Sequence, residues 1–506
     1  MKPPHVIAAL LVAAWVCSPP AVAAEPKPSE PAGRYRIAYA TFFGGSQWEQ
    51  PREIIPCPDG SVLVGGQTSS PDLPVTEGVV QPKYAGEPAG TGHGGLYSGD
   101  CFVARIGPRG QRIRFATYFG GSRQERAVYG MAVDRGGNIV ITTGCRSRDL
   151  PTTPGAYQRT YGGGKSDVLL AKLSPDGRKL IWCTYVGGRG EDWPRGGIAL
   201  DKDDNVIVVG RNTSADFPGT EGVLRPKPKG TNGDAMVVKV KADGSGLVWA
   251  TLLGGSDWDG LMGARLDADG NVYVAGHTRS TDLPVTAGAA QRSAGGQADC
   301  FLACLSPDGR RLRYCTYLAG EGNEFAEHRP ALLPDGSVLL TGVTASADFP
   351  TTRSAFQRRR KGKTDGFLAK LSPDGKRLTF CTLLGGGGGE FFLMPTVGAD
   401  GSIYLVGQTD SRDFPVTPDA LQRTYGGGKS DAVLAILSPD GSKLRYATYL
   451  GGSGGDLIRG VALGGGGAVY LAGNSDSKDF PVTALAVQKR KRGHHDGVIL
   501  KLVPAR

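Results

Sequence analysis

The chain has 506 residues, of which 40% are apolar, and it contains 79 glycines and 34 prolines. This composition suits many short strands and tight turns rather than long helices, and no run of about 18 apolar residues exists that would span a membrane. The formal charge of +10 allows acidic partners but does not select one.

The amino terminus has the composition of a secretory signal. A basic start precedes an apolar segment at 6–17, and small residues follow just before Glu25. A lipid on Cys17 is the weaker alternative, because the residue before it is not small. We expect a secreted, periplasmic or cell-surface protein in three parts: a signal peptide at 1–24, a Pro-rich linker at 25–34 and one domain at 35–506.

The first predicted strand, YRIAYATFFGG at 35–45, matches the second half of a hairpin that recurs through the chain. In the copy at 431–452, DAVLAILSPDGSKLRYATYLGG, two β-prone segments flank a Pro-Asp-Gly turn, which is typical of an antiparallel hairpin. Such hairpins begin, 65 to 67 residues apart, at Asp100, Asp167, Asp234, Asp299, Asp365 and Asp431, with a first half alone at Asp496.

A different hairpin precedes each of these, and its well-formed copy is ARLDADGNVYVAGH at 264–277. One repeat of about 66 residues therefore holds four strands, which is the size of a propeller blade. Seven repeats predict an all-β, closed seven-bladed β-propeller with four antiparallel strands per blade. The chain begins with an outermost strand and ends with its expected partner at 496–502. We therefore expect the N-terminal strand to complete the last blade and remove an open sheet edge.

The second and third strands of each repeat are joined by a connection of about 20 residues, which is long enough to need an explanation. Each copy contains the motif Asp-[Phe/Leu]-Pro-x-Thr. We interpret the Asp as a turn residue and the Phe or Leu as a plug between blades. After Thr417 a proline and an early acid follow, and this pattern predicts a helix of one or two turns.

The recurring pattern of DxFLAKLSPDG, YATYLGG, VALDADGNVYVAG and DFPVT resembles the bacterial β-propeller repeat family known as SBBP. The resemblance covers essentially all of the chain after residue 34. It implies a propeller on an exported or surface protein, and it brings no catalytic motif. The departures are Arg-Gly-Gln at 109–111, Leu333 where most copies have Asp, and Arg225 where six copies have Gln.

An acidic residue stands four positions beyond each Gly-Gly pair, or Ala-Gly in one copy, on the connection from one outermost strand to the next innermost strand. We expect these residues to form a ring on one face: Glu49, Glu125, Asp192, Asp259, Glu324, Glu390 and Asp456. Two interpretations stay open. The carboxylates fix the connection by accepting backbone N–H groups, or they form a cation-attracting ring at the channel mouth.

Eight cysteines follow the predicted signal peptide, and no spacing among them repeats as a disulfide framework would. Export permits disulfides, and a pair such as Cys300 with Cys315 is left open. The histidines lack metal-binding spacings, and no nucleophile elbow or phosphate loop stands in a strand-to-helix context. We therefore predict no catalytic residues, no metal and no cofactor.

Three of the connections between second and third strands are strongly basic. Runs of like charge are most often solvated loops, and the alternative is an acidic partner gripped at several points. That partner would be an anionic polysaccharide or a protein of the cell envelope; nucleic acid is not expected, because no aromatic residues interleave these runs. The candidate binding residues are Lys227, Lys229, Arg358, Arg359, Arg360, Lys361, Lys363, Lys489, Arg490, Lys491 and Arg492.

Two functions remain open from the sequence. The favoured one is a monomeric, non-catalytic interaction or scaffold module outside the cytoplasm, because blade construction explains every strong motif. The alternative is an extracellular enzyme that processes carbohydrates or peptides at the channel mouth. Its first candidate residues are Glu321, Glu324 and His328, since two carboxylates can serve as an acid/base pair.

Overall fold

The computed structural model describes residues 35–87, 99–230 and 232–505. Within these ranges thirty β-strands form seven sheets, each with four strand positions. The predicted signal peptide and linker lie outside the described residues. The architecture is the predicted one, a ring of seven antiparallel blades.

The first six blades follow each other along the chain, and within each the chain runs from the innermost to the outermost strand. The first consists of β2 (Glu49–Pro56), β3 (Val62–Thr68), β4 (Asp100–Ile106) and β5 (Ile113–Phe119). The second consists of β6 (Gly130–Val133), β7 (Ile139–Cys145), β8 (Asp167–Leu173) and β9 (Leu180–Val186). The third consists of β10 (Asp192–Pro194) with β11 (Ala199–Leu200), then β12 (Val206–Asn212), β13 (Asp234–Val240) and β14 (Leu247–Leu253).

The fourth consists of β15 (Asp259–Leu266), β16 (Val272–Thr278), β17 (Asp299–Leu305) and β18 (Leu312–Leu318). The fifth consists of β19 (Glu324–Phe325) with β20 (Ala331–Leu332), then β21 (Val338–Thr344), β22 (Asp365–Leu371) and β23 (Leu378–Leu384). The sixth consists of β24 (Glu390–Val397), β25 (Ile403–Thr409), β26 (Asp431–Leu437) and β27 (Leu444–Leu450).

The seventh blade combines both ends of the domain. It consists of β28 (Asp456–Leu463), β29 (Val469–Ser475), β30 (Asp496–Pro504) and, outermost, β1 (Tyr35–Phe43); a 3₁₀ turn at Gly465–Gly467 joins its first two strands. β1 runs antiparallel to β30, from Tyr35 opposite Pro504 to Phe43 opposite Gly497. β2 contacts β28 and β29, so the first and seventh blades pack together and the ring is closed.

The tight turns follow from their residue types. Gly441 has φ of 67°, in the left-handed region that glycine adopts without steric cost, and Asp440 Oδ1 accepts a hydrogen bond from the Ser442 amide. The tyrosine near the end of the same hairpin fixes the long connection. Tyr449 Oη donates to the Ser411 carbonyl at 2.8 Å and accepts from the amide of Phe414 at 3.1 Å.

The hydrophobic core lies between neighbouring blades. Between the seventh and first blades, Phe43, Ile54, Phe102 and Tyr470 are buried in one cluster. The apolar residue of each Asp-[Phe/Leu]-Pro motif is also buried, which confirms its interpretation as a plug: Leu73, Leu150, Phe217, Leu283, Phe349, Phe414 and Phe480.

The predicted helix after Thr417 is wrong. The Ala420 amide closes a single turn on the Thr417 carbonyl, and the described ranges contain no α-helix, nor any helix long and apolar enough to cross a bilayer. The connection runs along the outermost strand instead. The Thr417 amide donates to the Ala447 carbonyl at 3.1 Å, and the Gln422 amide to Thr448 Oγ1 at 2.9 Å. Because these backbone groups are already bonded, the cap chemistry does not start a helix.

The cysteines of the described chain are all free thiols, and all but Cys57 are buried. The disulfide left open between Cys300 and Cys315 does not form, because the strand register places Cys315 opposite Ala303 and Cys300 opposite Leu318. Cys315 packs in the core where other blades have a small alanine such as Ala447.

Candidate functional site

The predicted ring of acidic residues lies on the face that carries the connections from each outermost strand to the next innermost strand. We call this face the crossing face. All seven side chains are at most 1% exposed. Each accepts a hydrogen bond of 2.7 to 3.1 Å from the amide of the glycine four residues earlier. These contacts are the ones expected if the carboxylates fix the crossings, and a cation-attracting role stays a prediction.

Each crossing carboxyl lies near a second one, the Asp that opens the third strand. A Cβ atom at Gly451 would lie 2.7 Å from Asp456 Oδ2 and 3.0 Å from Asp431 Oδ1, so both carboxyls press on one glycine. Burial, with a smaller contribution from the charge of Asp431, raises the pKa of Asp456 to about 7. Burial also raises the pKa of Asp431, to about 6. The same arrangement surrounds Gly44, Gly120, Gly187 and Gly385.

The two loops with the most cations, 358–363 and 489–492, lie on the crossing face. The Lys363 amide donates to the Gly388 carbonyl at 2.8 Å, and the His494 amide to the Gln47 carbonyl at 2.6 Å; both acceptors belong to crossings. Seven cationic side chains of these loops are exposed, and none forms an ion pair with a described residue: Arg358, Arg359, Lys361, Lys363, Lys489, Arg490 and Arg492.

Of the remaining candidate cations, three bind groups within the protein and one, in the third basic loop, is exposed. Lys491 Nζ donates to the carbonyls two and three residues further on, at 2.9 and 2.6 Å, and the Arg360 guanidinium donates to the equivalent pair. In the third basic loop Lys229 pairs with Asp282 at 2.8 Å, whereas Lys227 is exposed. The structure therefore separates loop-shaping cations from cations that face solvent.

The three candidate residues of the enzyme alternative do not form an acid/base pair. Glu324 is buried and accepts hydrogen bonds from Thr344 Oγ1 at 2.7 Å and from the Gly320 amide at 2.9 Å. Glu321 is exposed on the crossing, and His328 is 1% exposed near the axis of the ring. The Glu324 carboxyl is thus committed to the hydrogen bonds of its own blade.

A set of side chains that differ from blade to blade meets at the axis of the ring. Each stands three residues after one of the seven buried acidic residues of the crossing face, which we call the crossing acids. Strand pairing shifts by one residue there in the first, fourth, sixth and seventh blades, and such a bulge redirects a side chain. In the third and fifth blades the innermost strand is divided into two short strands at this position. The position is occupied by Arg52, Val128, Arg195, Met262, Glu327, Leu393 and Arg459.

Contacts between blades that are not neighbours show that these side chains reach the axis. Arg52 of the first blade lies 4.0 Å from the Glu327 carboxylate of the fifth, and Arg195 of the third lies 3.7 Å from the same group. Arg329 Nη1 of the fifth blade donates to both carboxylate oxygens of Glu53 in the first, at 2.9 Å each. We define the axial cluster as Arg52, Glu53, Arg195, Arg265, Glu327, His328, Arg329 and Arg459.

The axial cluster has a surplus of positive charge. Burial, and then the charge of Arg52, hold the pKa of the His328 imidazole well below its ordinary value, so this side chain is neutral. Burial, and then the charge of Arg329, lower the pKa of Arg265 to about 9, which leaves it charged at neutral pH. Five guanidinium groups and two carboxylates therefore give the cluster a formal charge of 5 − 2 = +3.

A cavity of about 150 Å³ opens on the crossing face beside the axial cluster. We call it the mouth pocket. The Arg126 guanidinium lies over the Trp193 ring, and the His277 ring stacks on Trp258 with centroids 4.7 Å apart. Arg195 lines the pocket and belongs to the axial cluster, so the pocket leads from the surface to the axis. Its main lining residues are Arg126, Glu191, Trp193, Arg195, Arg211, Trp258 and His277.

Sequence reasoning named His328 but missed the arginines of the axial cluster, because it concentrated on positions that recur. The signal was nevertheless in the sequence, at the third residue after each crossing acid. Four blades carry a charged side chain there, whereas the others carry Val128, Met262 and Leu393. Arg126 and Trp193 of the mouth pocket both stand one residue after a crossing acid. Innermost strands that replace apolar residues by arginine at this register indicate a charged axis.

No protein-family profile matches this chain, and no curated protein matches it. Several solved structures align with most of this chain. A protein of unknown function from Dyadobacter fermentans aligns over 93% of this chain and 99% of its own, with 11% identity and a TM-score of 0.43. BamB from Moraxella catarrhalis aligns over 93% and 99%, with 12% identity and a TM-score of 0.38.

A quinohemoprotein alcohol dehydrogenase from Pseudomonas putida aligns over 94% of this chain and 77% of its own, with 11% identity and a TM-score of 0.43. At this level of identity and TM-score, the similarities carry no conclusion about this chain. They bring neither an activity nor a partner to this chain.

Proposed function

We propose that this chain is an exported, non-catalytic interaction module that binds an anionic polymer, such as an acidic polysaccharide of the cell envelope, through its crossing face. The observation that carries the proposal is the set of seven exposed cations on loops 358–363 and 489–492, which have no ion-pair partner among the described residues. The cationic mouth pocket lies on the same face.

Both loops present their cations from a fixed backbone. The buried Asp365 carboxylate accepts hydrogen bonds of 3.0 Å from the amides of Lys361 and Gly362. Asp496 accepts the equivalent bonds from the amides of Arg492 and the next residue, at 2.8 Å each. Because the loop backbone is already ordered, a ligand does not have to fix it on binding, which lowers the entropic cost of association.

The spacing of the two loops favours a long ligand over a short one. They belong to the fifth and seventh blades, with the sixth blade between them. An exposed ion pair contributes only about 0.2–1 kcal/mol, so a short anion would bind either loop weakly. A polymer that reaches both loops gains from effective concentration, which is why we propose a polymer.

We also infer that the blades belong to the SBBP type of repeat and that the mature protein is monomeric and outside the cytoplasm. The support for the repeat type is the motif pattern shared by the seven blades, and the support for export is the composition of residues 1–24. Mass spectrometry of the mature protein checks the processing, with a start at Glu25 expected. An intact Met1, or a lipid on Cys17, would contradict it.

The binding proposal is tested by retention of the mature protein on polygalacturonate resin across a salt series. Changing Arg358, Arg359, Lys361 and Lys363 to serine should shift elution to lower salt, because exposed charges are screened within about 10 Å at 0.1 M. The matched control makes the same change of charge in exposed turns between third and fourth strands, on the opposite face, by changing Arg310, Arg311, Lys376 and Arg377 to serine.

The control variant should elute like the wild type. Unchanged retention of the loop variant would show that this loop does not bind the polymer. An equal loss in both variants would show that net charge alone, rather than the crossing face, determines retention.

A further inference from the structure

We propose that the axial cluster is a binding site for one multivalent oxyanion, a phosphate- or sulfate-type group that is either free or the end of a larger ligand. This proposal goes beyond polymer binding, because it concerns the ring axis and a small anion rather than the exposed loops. It rests on three observations: a largely buried charge surplus, buried donors that lack acceptors, and a route from the surface.

The charge surplus lies in a largely buried place. Arg52 is 5% exposed, Glu53 and His328 are 0% and 1% exposed, and the other members of the axial cluster are half-buried. Burying a guanidinium is unfavourable unless an opposite charge lies beside it. Arg329 donates to both carboxylate oxygens of Glu53, and Glu327 is the second acid of the cluster beside five guanidinium groups. An anion with three negative charges would balance the formal charge of +3, and a divalent anion would reduce it to +1.

Buried donors point to the same place. Nε and Nη2 of Arg52 and Nε of Arg329 have no hydrogen-bond partner among the described residues. The same holds for both ring nitrogens of His328, of which the neutral imidazole offers one as an N–H donor. The distance of 4.0 Å from Arg52 Nη2 to the Glu327 carboxylate is longer than a hydrogen bond. The His328 imidazole lies within the field of Arg52, Arg329 and two further arginines. An oxyanion among these groups would accept several charge-assisted hydrogen bonds at once.

The nature of the donors selects the class of ligand. Guanidinium forks match the spacing of oxygens on phosphate, sulfate or carboxylate groups, whereas a halide accepts without such a match and brings only one charge. Tyr129 borders the cluster, and its ring is covered by Arg52 at 4.7 Å and by Arg195 at 5.5 Å. The cluster therefore offers guanidinium groups rather than an apolar surface, and it suits the anionic group of a ligand.

The mouth pocket supplies the route to the cluster. It opens on the crossing face, and Arg195 lines it while also lying 3.7 Å from Glu327 in the cluster. Arg126 and Arg211 line the same pocket together with one acid, Glu191, so an incoming anion meets a lining of net positive charge. A ligand larger than the oxyanion would leave its remaining part in this pocket.

The other blades show which side chains can replace the arginines of the axial cluster. At the position of Arg52 and Arg459 other blades carry Val128, Met262 and Leu393, so Arg52→Met and Arg459→Met place an apolar side chain where the fold already has one. Glu327→Gln is an isosteric change that removes a negative charge from the cluster. The two kinds of variant are expected to act in opposite directions, which loss of folding alone would not produce.

The test is isothermal titration calorimetry of the mature protein with inorganic phosphate, sulfate and glycerol 3-phosphate at constant ionic strength, with chloride as the reference. We expect one site per chain for the divalent anions and none for chloride. Arg52→Met or Arg459→Met should weaken binding by about tenfold or more, and Glu327→Gln should strengthen it. Tighter binding of glycerol 3-phosphate than of phosphate would identify the anion as part of a larger ligand.

The opposite-face variant with Arg310, Arg311, Lys376 and Arg377 changed to serine is the control, and its affinity for phosphate should equal that of the wild type. The absence of saturable binding by any divalent anion would overturn the proposal. So would an affinity that does not respond to Arg52→Met, Arg459→Met and Glu327→Gln. Because the probes are small anions, loss of polymer retention alone would not affect this result.

Discussion

Replacing Gly451 with alanine should destabilise the propeller, because a methyl group there has no room between two buried carboxyls. Its Cβ would lie 2.7 Å from Asp456 Oδ2 and 2.8 Å from Asp431 Cγ. Neither carboxyl withdraws cheaply, since Asp431 accepts the Gly426 amide at 2.6 Å and Asp456 the Gly452 amide at 2.8 Å. Overpacking costs about 1–3 kcal/mol and one lost hydrogen bond about 1 kcal/mol. We expect the free energy of unfolding to fall by about 2–4 kcal/mol.

Urea unfolding followed by tryptophan fluorescence measures this loss as a lower midpoint at an unchanged m-value. The chain contains a matched control, because Ala319 stands where the other repeats have the first glycine of the pair. Ala319→Gly should cost less than about 1 kcal/mol. If Gly451→Ala unfolds within about 0.5 kcal/mol of the wild type, as an ordinary surface substitution would, then the two carboxyls do not pack on this glycine.

Three further predictions concern the blades. Stability should fall as pH rises, because burial raises the folded-state pKa of crossing carboxyls to about 6 for Asp192, about 7 for Glu390 and about 8 for Glu49, above about 4 in unfolded chains. The stabilisation is complete below about pH 4 and is lost as pH rises through 6 to 8; a Tm that is higher at about pH 8.5 than at about pH 5.5 would contradict this sign. Deleting Tyr35–Phe43 should leave the edge of β30 unpaired and reduce solubility, and a truncated protein that melts like the full domain would show that β1 does not close the ring. Titration with a thiol reagent should modify the buried cysteines only after denaturation, and rapid reaction of a thiol such as Cys300 in the native protein would contradict its burial.

The fold could be predicted from the sequence because one four-stranded repeat occurs seven times. A single Pro-Asp-Gly hairpin such as 431–452 is weak as a signal, but its return every 65 to 67 residues fixes the number of blades and the strands in each. The unpaired first strand and the unpaired last strand then predict closure. The helix after Thr417 failed for the opposite reason. It was inferred from local cap chemistry, and the outermost strand, which local sequence does not show, competes for the same backbone groups.

The axial cluster could not be predicted by the same reasoning. Arg52, Arg195 and Glu327 come from different repeats and are more than a hundred residues apart along the chain, so only the ring geometry brings them together. Recurrence directed attention to Asp456 and its equivalents, for which two interpretations stayed open, and of the axial cluster the sequence singled out His328 but none of the arginines. Bulges in the innermost strands decide which of those positions face the axis, and sequence alone does not reveal a bulge.

The central claim is that the crossing face binds an anionic polymer without transforming it. The most direct measurement incubates the mature protein with a polygalacturonate oligomer of defined length, determines the binding isotherm at low and high salt, and then weighs the recovered oligomer by mass spectrometry. We expect saturable binding that weakens with salt and an oligomer of unchanged mass. An oligomer that does not bind at low salt, or one that is recovered in shorter pieces, would contradict the account.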